Sequence, residues 1–138
     1  MSIITKAALI ERETELLVAL TQRTSVHVLV SVPVFNEAHA RAMEPFVATP
    51  TRRLRIIEKL AAAGVTVDIM VAPLIPGLND SDVGPLACRR REGRSACSSL
   101  LRLPGSSADV FATRLRATLP LRAERVLTRT REMRGGDP

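Results

Sequence analysis

Short runs of β-branched and apolar residues alternate with longer stretches of helical pattern, and this alternation constrains the fold more than any other feature of the chain. Ser2-Ile3-Ile4-Thr5 reads as the end of a strand, and Val26-His27-Val28-Leu29-Val30-Ser31-Val32 as a second. The second run is apolar on both faces, which suits a buried parallel sheet better than a half-solvated antiparallel one. Val65-Thr66-Val67-Asp68-Ile69-Met70-Val71 is the third. Between the first two lies a helix over about residues 11–22, with Leu16, Leu17 and Leu20 on one face. Glu11, Glu13 and Glu15 sit in its first turns, where negative charge suits the helix dipole. A short helix near 37–43 follows the second strand. The helix after it has the clearest punctuation: Thr49 to cap, Pro50 for the first helical position, and Gly64 for the left-handed residue past the end. Leu54, Ile57, Leu60 and Ala61 recur between them at helical spacing. Strand, helix and strand at this spacing predict βαβ units with right-handed crossovers and therefore parallel strands.

The third strand runs into Ala72-Pro73-Leu74-Ile75-Pro76-Gly77-Leu78-Asn79-Asp80, a loop stiffened by two prolines. The pattern then fails over 83–99, where Gly84, Pro85 and Gly93 break any helix and Arg89-Arg90-Arg91 forms a charge block. Leu100-Leu101-Arg102-Leu103 resembles a fourth strand stopped by Pro104-Gly105. Two helices, over about 107–118 and 121–133 with Pro120 between them, close the chain before a fraying Gly135-Gly136-Asp137-Pro138 tail. A chain of 138 residues holds three or four such units, whereas a closed eight-stranded barrel takes about 250 residues. The expected fold is α/β, either a partial (β/α) barrel of parallel strands or a small open sheet over residues 1–106, with C-terminal helices and tail over 107–138. The chain starts in mid-strand, so an upstream piece is expected.

Composition serves to exclude. With 46% hydrophobic and 25% charged residues the chain has the balance of a soluble globular domain. No run approaches the roughly 18 to 20 apolar residues of a membrane span, and the start does not read as a secretory signal. Two cysteines make no disulfide framework, so a cytoplasmic location is expected. The net charge of +6 is concentrated late: residues 70–138 hold 12 Lys and Arg against 7 Asp and Glu. Such a balance attracts acidic surfaces, including weak nonspecific nucleic acid. With three Phe and no Trp or Tyr, the chain offers almost no rings for stacking single-stranded bases.

Several residues have local readings. His27 is expected to be a core histidine and His39 to face solvent. Glu44 is expected to pair with Arg53 or Arg55, and Asn79-Asp80-Ser81-Asp82 to cap a following helix. The block of Arg89–Arg91 with Arg94 reads as a solvated face, with phosphate binding the second reading.

The order Thr5-Lys6, Arg12-Glu13, Ser31-Val32-Pro33, Glu44-Pro45, Arg53-Leu54, the run Val71–Asp80 and Leu101-Arg102-Leu103-Pro104 resembles the radical S-adenosylmethionine (radical SAM) superfamily, in its DNA-repair-photolyase-like branch related to spore photoproduct lyase. The resemblance covers nearly the whole chain and corresponds to the later part of that family's partial barrel. It implies S-adenosylmethionine as cofactor, with Lys6 pairing the methionine carboxylate, Ser31 hydrogen-bonding the cofactor, and Ile75, Pro76 and Gly77 lying against the adenine. It also implies a [4Fe–4S] cluster held by a C-x3-C-x2-C loop, which this chain lacks. Cys88 and Cys97 stand where the family places no cluster ligand. No catalytic or metal-binding residue is therefore assigned, and the chain is expected to be inactive alone, its cluster loop supplied by an upstream-encoded half. The stretch 83–99 replaces a helix of the family, consistent with a shifted reading frame restored before Leu100. Alternative readings are a basic α/β nucleic-acid-binding module and a non-functional remnant with an exposed sheet edge.

Overall fold

The computed structural model describes residues 1–82, 95–98 and 105–133, with side chains over 1–81 and 109–133. Strands β1 (Ser2–Thr5), β2 (His27–Ser31), β3 (Thr66–Val71) and β4 (Ser95–Ser98) form one sheet in the order β1-β2-β3-β4, every neighbouring pair parallel. The β1–β2 crossover is a 3-10 helix (Ala8–Glu13) leading into α1 (Thr14–Thr21). The β2–β3 crossover holds α2 (Glu37–Met43) and α3 (Pro50–Ala62). Helices α4 (Gly105–Thr118) and α5 (Pro120–Met133) follow β4. No helix among the described residues is long and apolar enough to cross a membrane.

Side chains alternate across each strand, so the register decides what each face carries. Ile3, Val28 and Val67 stand in one row and Val30 and Ile69 in the next. These residues join Leu17 of α1 and Ile56, Ile57 and Leu60 of α3 in one core. Both crossover helices therefore cover the same face of the sheet. Fully burying a side chain of this size contributes about 1.5–3 kcal/mol, so this face dominates the stability of the sheet. The other face carries Ile4, 61% exposed, with half-buried Leu29 and Met70 and the His27–Asp68 pair.

Local chemistry accounts for the best-defined helix. The Thr49 hydroxyl oxygen accepts from the Arg52 amide at 3.3 Å, Pro50 occupies the first turn, and the chain leaves through Gly64 at φ +85°. Nothing lies within 4 Å of where a Gly64 Cβ would stand, so backbone conformation alone favours glycine there.

The first helix departs from its expected span. A 3-10 segment takes the first residues, and its tighter winding shifts the phase of the α-helix that follows. Leu17 is buried, whereas Leu16 is 56% exposed and does not share its face. His27 is not a core histidine. It opens β2 on the less covered face, with its side chain 36% exposed and Nε2 2.6 Å from Asp68 Oδ2. The expected strand at Leu100–Leu103 lies outside the described residues. A strand instead occupies Ser95–Ser98, within the stretch expected to be irregular, and Cys97 stands in register with Met70. Ser-Ala-Cys-Ser has neither branched residues nor an apolar period, so pairing with β3, rather than local preference, makes it a strand. Cys88, Arg89–Arg91 and Arg94 lie outside the described residues.

Candidate functional site

The loops leaving β2 and β3 do not run free. Val34, Ile75 and Leu78 from these loops pack with Leu115 of α4 and Ala123, Val126 and Leu127 of α5 in a second buried cluster. The C-terminal helices thus roof the carboxyl ends of the strands. Between roof and sheet lies a cleft of about 360 Å³. Its wall takes Lys6 from the end of β1, Pro33 and Val34 after β2, Pro73, Ile75 and Leu78 after β3, Ala40, Met43 and Glu44 from α2 and its end, Arg53 of α3, and Val110, Phe111 and Arg114 of α4. The carboxyl ends of parallel strands are where barrels and open α/β sheets bind ligands.

One side chain holds two of these loops together. Asn79 is fully buried; its Nδ2 donates to the Pro33 carbonyl at 2.6 Å and to the Pro73 carbonyl at 2.9 Å, while its Oδ1 accepts from the Ile75 amide at 2.6 Å. The Ile75 carbonyl accepts from the amides of Leu78 and Asn79, which closes the turn. The Ala72–Pro73 bond in this loop is cis. Asn79 therefore ties loops together instead of capping a helix; Asp80 makes the local contact, its Oδ1 accepting from the Ser81 amide. The turn passes through Gly77 at φ +79°, where a Cβ would stand 3.4 Å from Arg129 Cδ of α5.

The polar part of the cleft is a chain of ionic contacts. Lys6 Nζ donates to Glu44 Oε1, and Arg53 Nη2 donates to Glu44 Oε2 at 3.1 Å. Arg53 Nη1 donates to the Ser31 carbonyl at 2.8 Å. The Arg53 side chain is only 4% exposed, and its buried Nε has no partner among the described residues. Burial pushes the Glu44 carboxyl up, but hydrogen bonds from Lys6 and Arg53, with the charges of both, outweigh it and hold Glu44 below its usual value. Glu44 is thus an anion between two cations. Of the two arginines weighed from the sequence, Arg53 is the partner.

The residues singled out by resemblance are divided between two layers. Lys6 stands in the cleft wall with its side chain 42% exposed, and Ile75 lies in the same wall. Ser31 is buried and is not part of that wall; its carbonyl connects to the cleft through Arg53 and Glu44. Pro76 and Gly77 are also outside the wall, with Gly77 turned toward Arg129 and Val126 of α5. The part played by α4, and the inward turn of Asn79, left no trace that periodicity could register. The Glu44-Pro45 and Arg53 positions did carry a signal, because two opposite charges flank a capped helix start.

No family model matches the chain. An uncharacterized protein of Mycobacterium bovis and two uncharacterized proteins of Mycobacterium tuberculosis (strains CDC 1551 and H37Rv) are each 38% identical to it over 81 residues. The matched stretch is 59% of this chain and 24% of each relative, so the chain spans about a quarter of the length of these relatives. No solved structure matches.

Proposed function

We propose that this chain is the S-adenosylmethionine-binding part of a radical SAM-type (β/α) partial barrel, acting in the cytoplasm with another polypeptide segment that carries the cluster. The observation that supports this most is the winding of the sheet. Parallel strands in sequential order, with both crossover helices on one face, correspond to an arc of a barrel; doubly wound folds place helices on both faces. The cleft at the carboxyl ends, with the Lys6 ammonium in its wall, supports a ligand that bears a carboxylate. Its apolar remainder, with Ile75 and Phe111, suits a flat base.

The iron–sulfur cluster of that superfamily does not fit this chain. Three thiolates are needed to hold three irons, and the sequence has two cysteines. The chain's own contribution is to bind and orient: Lys6 for the carboxylate, Ile75 and its loop for the base, with Asn79 fixing that loop. Ser31, Pro76 and Gly77 act from behind the wall in this reading, by shaping it.

Equilibrium dialysis of the full chain against labelled S-adenosylmethionine tests the proposal. Saturable binding that Lys6→Met weakens about three- to tenfold is the expected result. No saturable binding, or binding indifferent to Lys6→Met, rejects it.

A further inference from the structure

We infer that Glu44 sets the charge of the group that the cleft accepts, so that the site takes a monoanionic carboxylate in preference to a neutral or a dianionic group. The inference rests on the cleft being a ligand site and goes on to say what chooses the ligand. Arg53 is 3% exposed, and a buried guanidinium needs a counter-charge. Among the described residues Glu44 supplies it, and the Ser31 carbonyl occupies a second nitrogen. The same carboxylate also accepts from Lys6. One anion therefore serves two cations, which leaves one net positive charge, and the half-exposed Lys6 is where that charge meets the cleft.

A single negative charge balances this Lys6–Glu44–Arg53 group. A neutral group leaves Lys6 unmatched by the ligand. A dianion brings a surplus charge against Val34 and Ile75, which offer it nothing. With Glu44 neutralised, these three side chains carry two positive charges and favour the dianion. Arg114 of α4 also borders the cleft and, like Lys6, is exposed, so solvent and salt screen both; Arg114 is outside the Lys6–Glu44–Arg53 group, and its charge is the same in every variant compared.

The test is calorimetric titration of the full chain near pH 8 with three ligands sharing one body: adenosine, adenosine 5′-carboxylate and adenosine 5′-monophosphate, the last a dianion at that pH. The wild-type chain is expected to bind the carboxylate about three- to tenfold more tightly than either of the others, the effect of one partly screened charge. Lys6→Met brings the carboxylate to about the affinity of adenosine, and Glu44→Gln shifts the preference to the phosphate. Equal or tighter binding of the phosphate by the wild-type chain overturns the inference, as does an unchanged preference in Glu44→Gln. Because Glu44→Gln strips a buried arginine of its counter-charge, the double variant Glu44→Gln/Arg53→Met serves beside it. Of the Lys6–Glu44–Arg53 group it retains Lys6 alone, so it keeps the carboxylate preference, and loss of that preference also counts against the inference. If none of the three adenosine ligands binds, the ligand site itself is rejected. If all bind with a flat series, only the role of Glu44 is.

Discussion

Asn79 Nδ2 donates a hydrogen bond of 2.6 Å to the carbonyl of Pro33, 46 residues earlier, and so joins the loop after β3 to the loop after β2. Both loops line the cleft, and both end in residues buried under α4 and α5. The side chain also serves Pro73 and Ile75, so three of its hydrogen-bonding groups are in use inside the protein.

Asn79→Ala leaves the carbonyls of Pro33 and Pro73 and the amide of Ile75 short of a partner. A buried group left unpaired costs about 1–3 kcal/mol, so the substitution is expected to destabilise by about 3 kcal/mol or more. Urea unfolding followed by circular dichroism measures it. A loss below about 1 kcal/mol would show that water replaces the side chain.

Gly77 and Gly64 provide a matched pair. Both have positive φ, +79° and +85°, so alanine is strained by about 1–2 kcal/mol at either. At Gly77 the new methyl also stands 3.4 Å from Arg129 Cδ, whereas at Gly64 it meets nothing within 4 Å. The 3.4 Å approach is ordinary van der Waals contact with a flexible side chain, so Gly77→Ala is expected to lower the melting temperature by no more than Gly64→Ala. A clearly larger loss at Gly77 in thermal melts would contradict this packing of the loop against α5.

Stability should fall on acidification, with Glu44 contributing. Its carboxyl is held below the ordinary value of 4.5, so the folded state favours the ionised form more than the unfolded state does. The contribution is complete above the unfolded value and is lost as the pH falls through the lower folded value. Glu44→Gln is expected to flatten the acid limb of the stability–pH curve while leaving the chain less stable at neutral pH. An acid limb of unchanged slope in the variant would remove Glu44 as a contributor. Glu11 and Glu124 are also held low, Glu11 by Lys59 and Arg52 and Glu124 by Arg116; Glu124 is exposed, and the Lys59 and Arg52 partners of the partly buried Glu11 are themselves exposed, so solvent screens these pairs.

His27 carries the last prediction. Its Nε2 is the partner of Asp68 Oδ2, and the other oxygen, Asp68 Oδ1, is already buried without one. His27→Ala leaves an almost buried carboxylate wholly unpaired among the described residues, at an expected cost of about 1–3 kcal/mol. Adding Asp68→Asn should recover part of that loss, because the charge goes with it. Chemical denaturation of both variants decides the point, and no recovery would mean that the charge of Asp68 is not what suffers.

Where strands and crossovers lie was legible because burial on a fixed period leaves a pattern in the chain. The three strand runs, the Thr49-Pro50 start and the Gly64 end are each found within a residue or two of their expected places. Such features depend on contacts within a few residues or on one face of one element. What failed depends on distant partners. β4 has no strand signature of its own and exists by pairing with β3, and His27 sits in an apolar run yet faces outward to Asp68.

The candidate site divides in the same way. The amino-acid sequence alone determined that parallel strands would send their carboxyl ends, with Lys6 and the proline-rich loop, toward one end of the sheet, because βαβ connections leave no other arrangement. Tertiary structure decided which of those residues share a wall. Lys6 and Ile75 do, together with Glu44 and Arg53, whereas Ser31, Pro76 and Gly77 do not. Period and propensity are local quantities, whereas a cleft is the space left when helices from the far end of the chain settle over the loops. That space depends on the packing of Leu115, Ala123 and Val126 against Ile75 and Leu78, which no single stretch of sequence encodes.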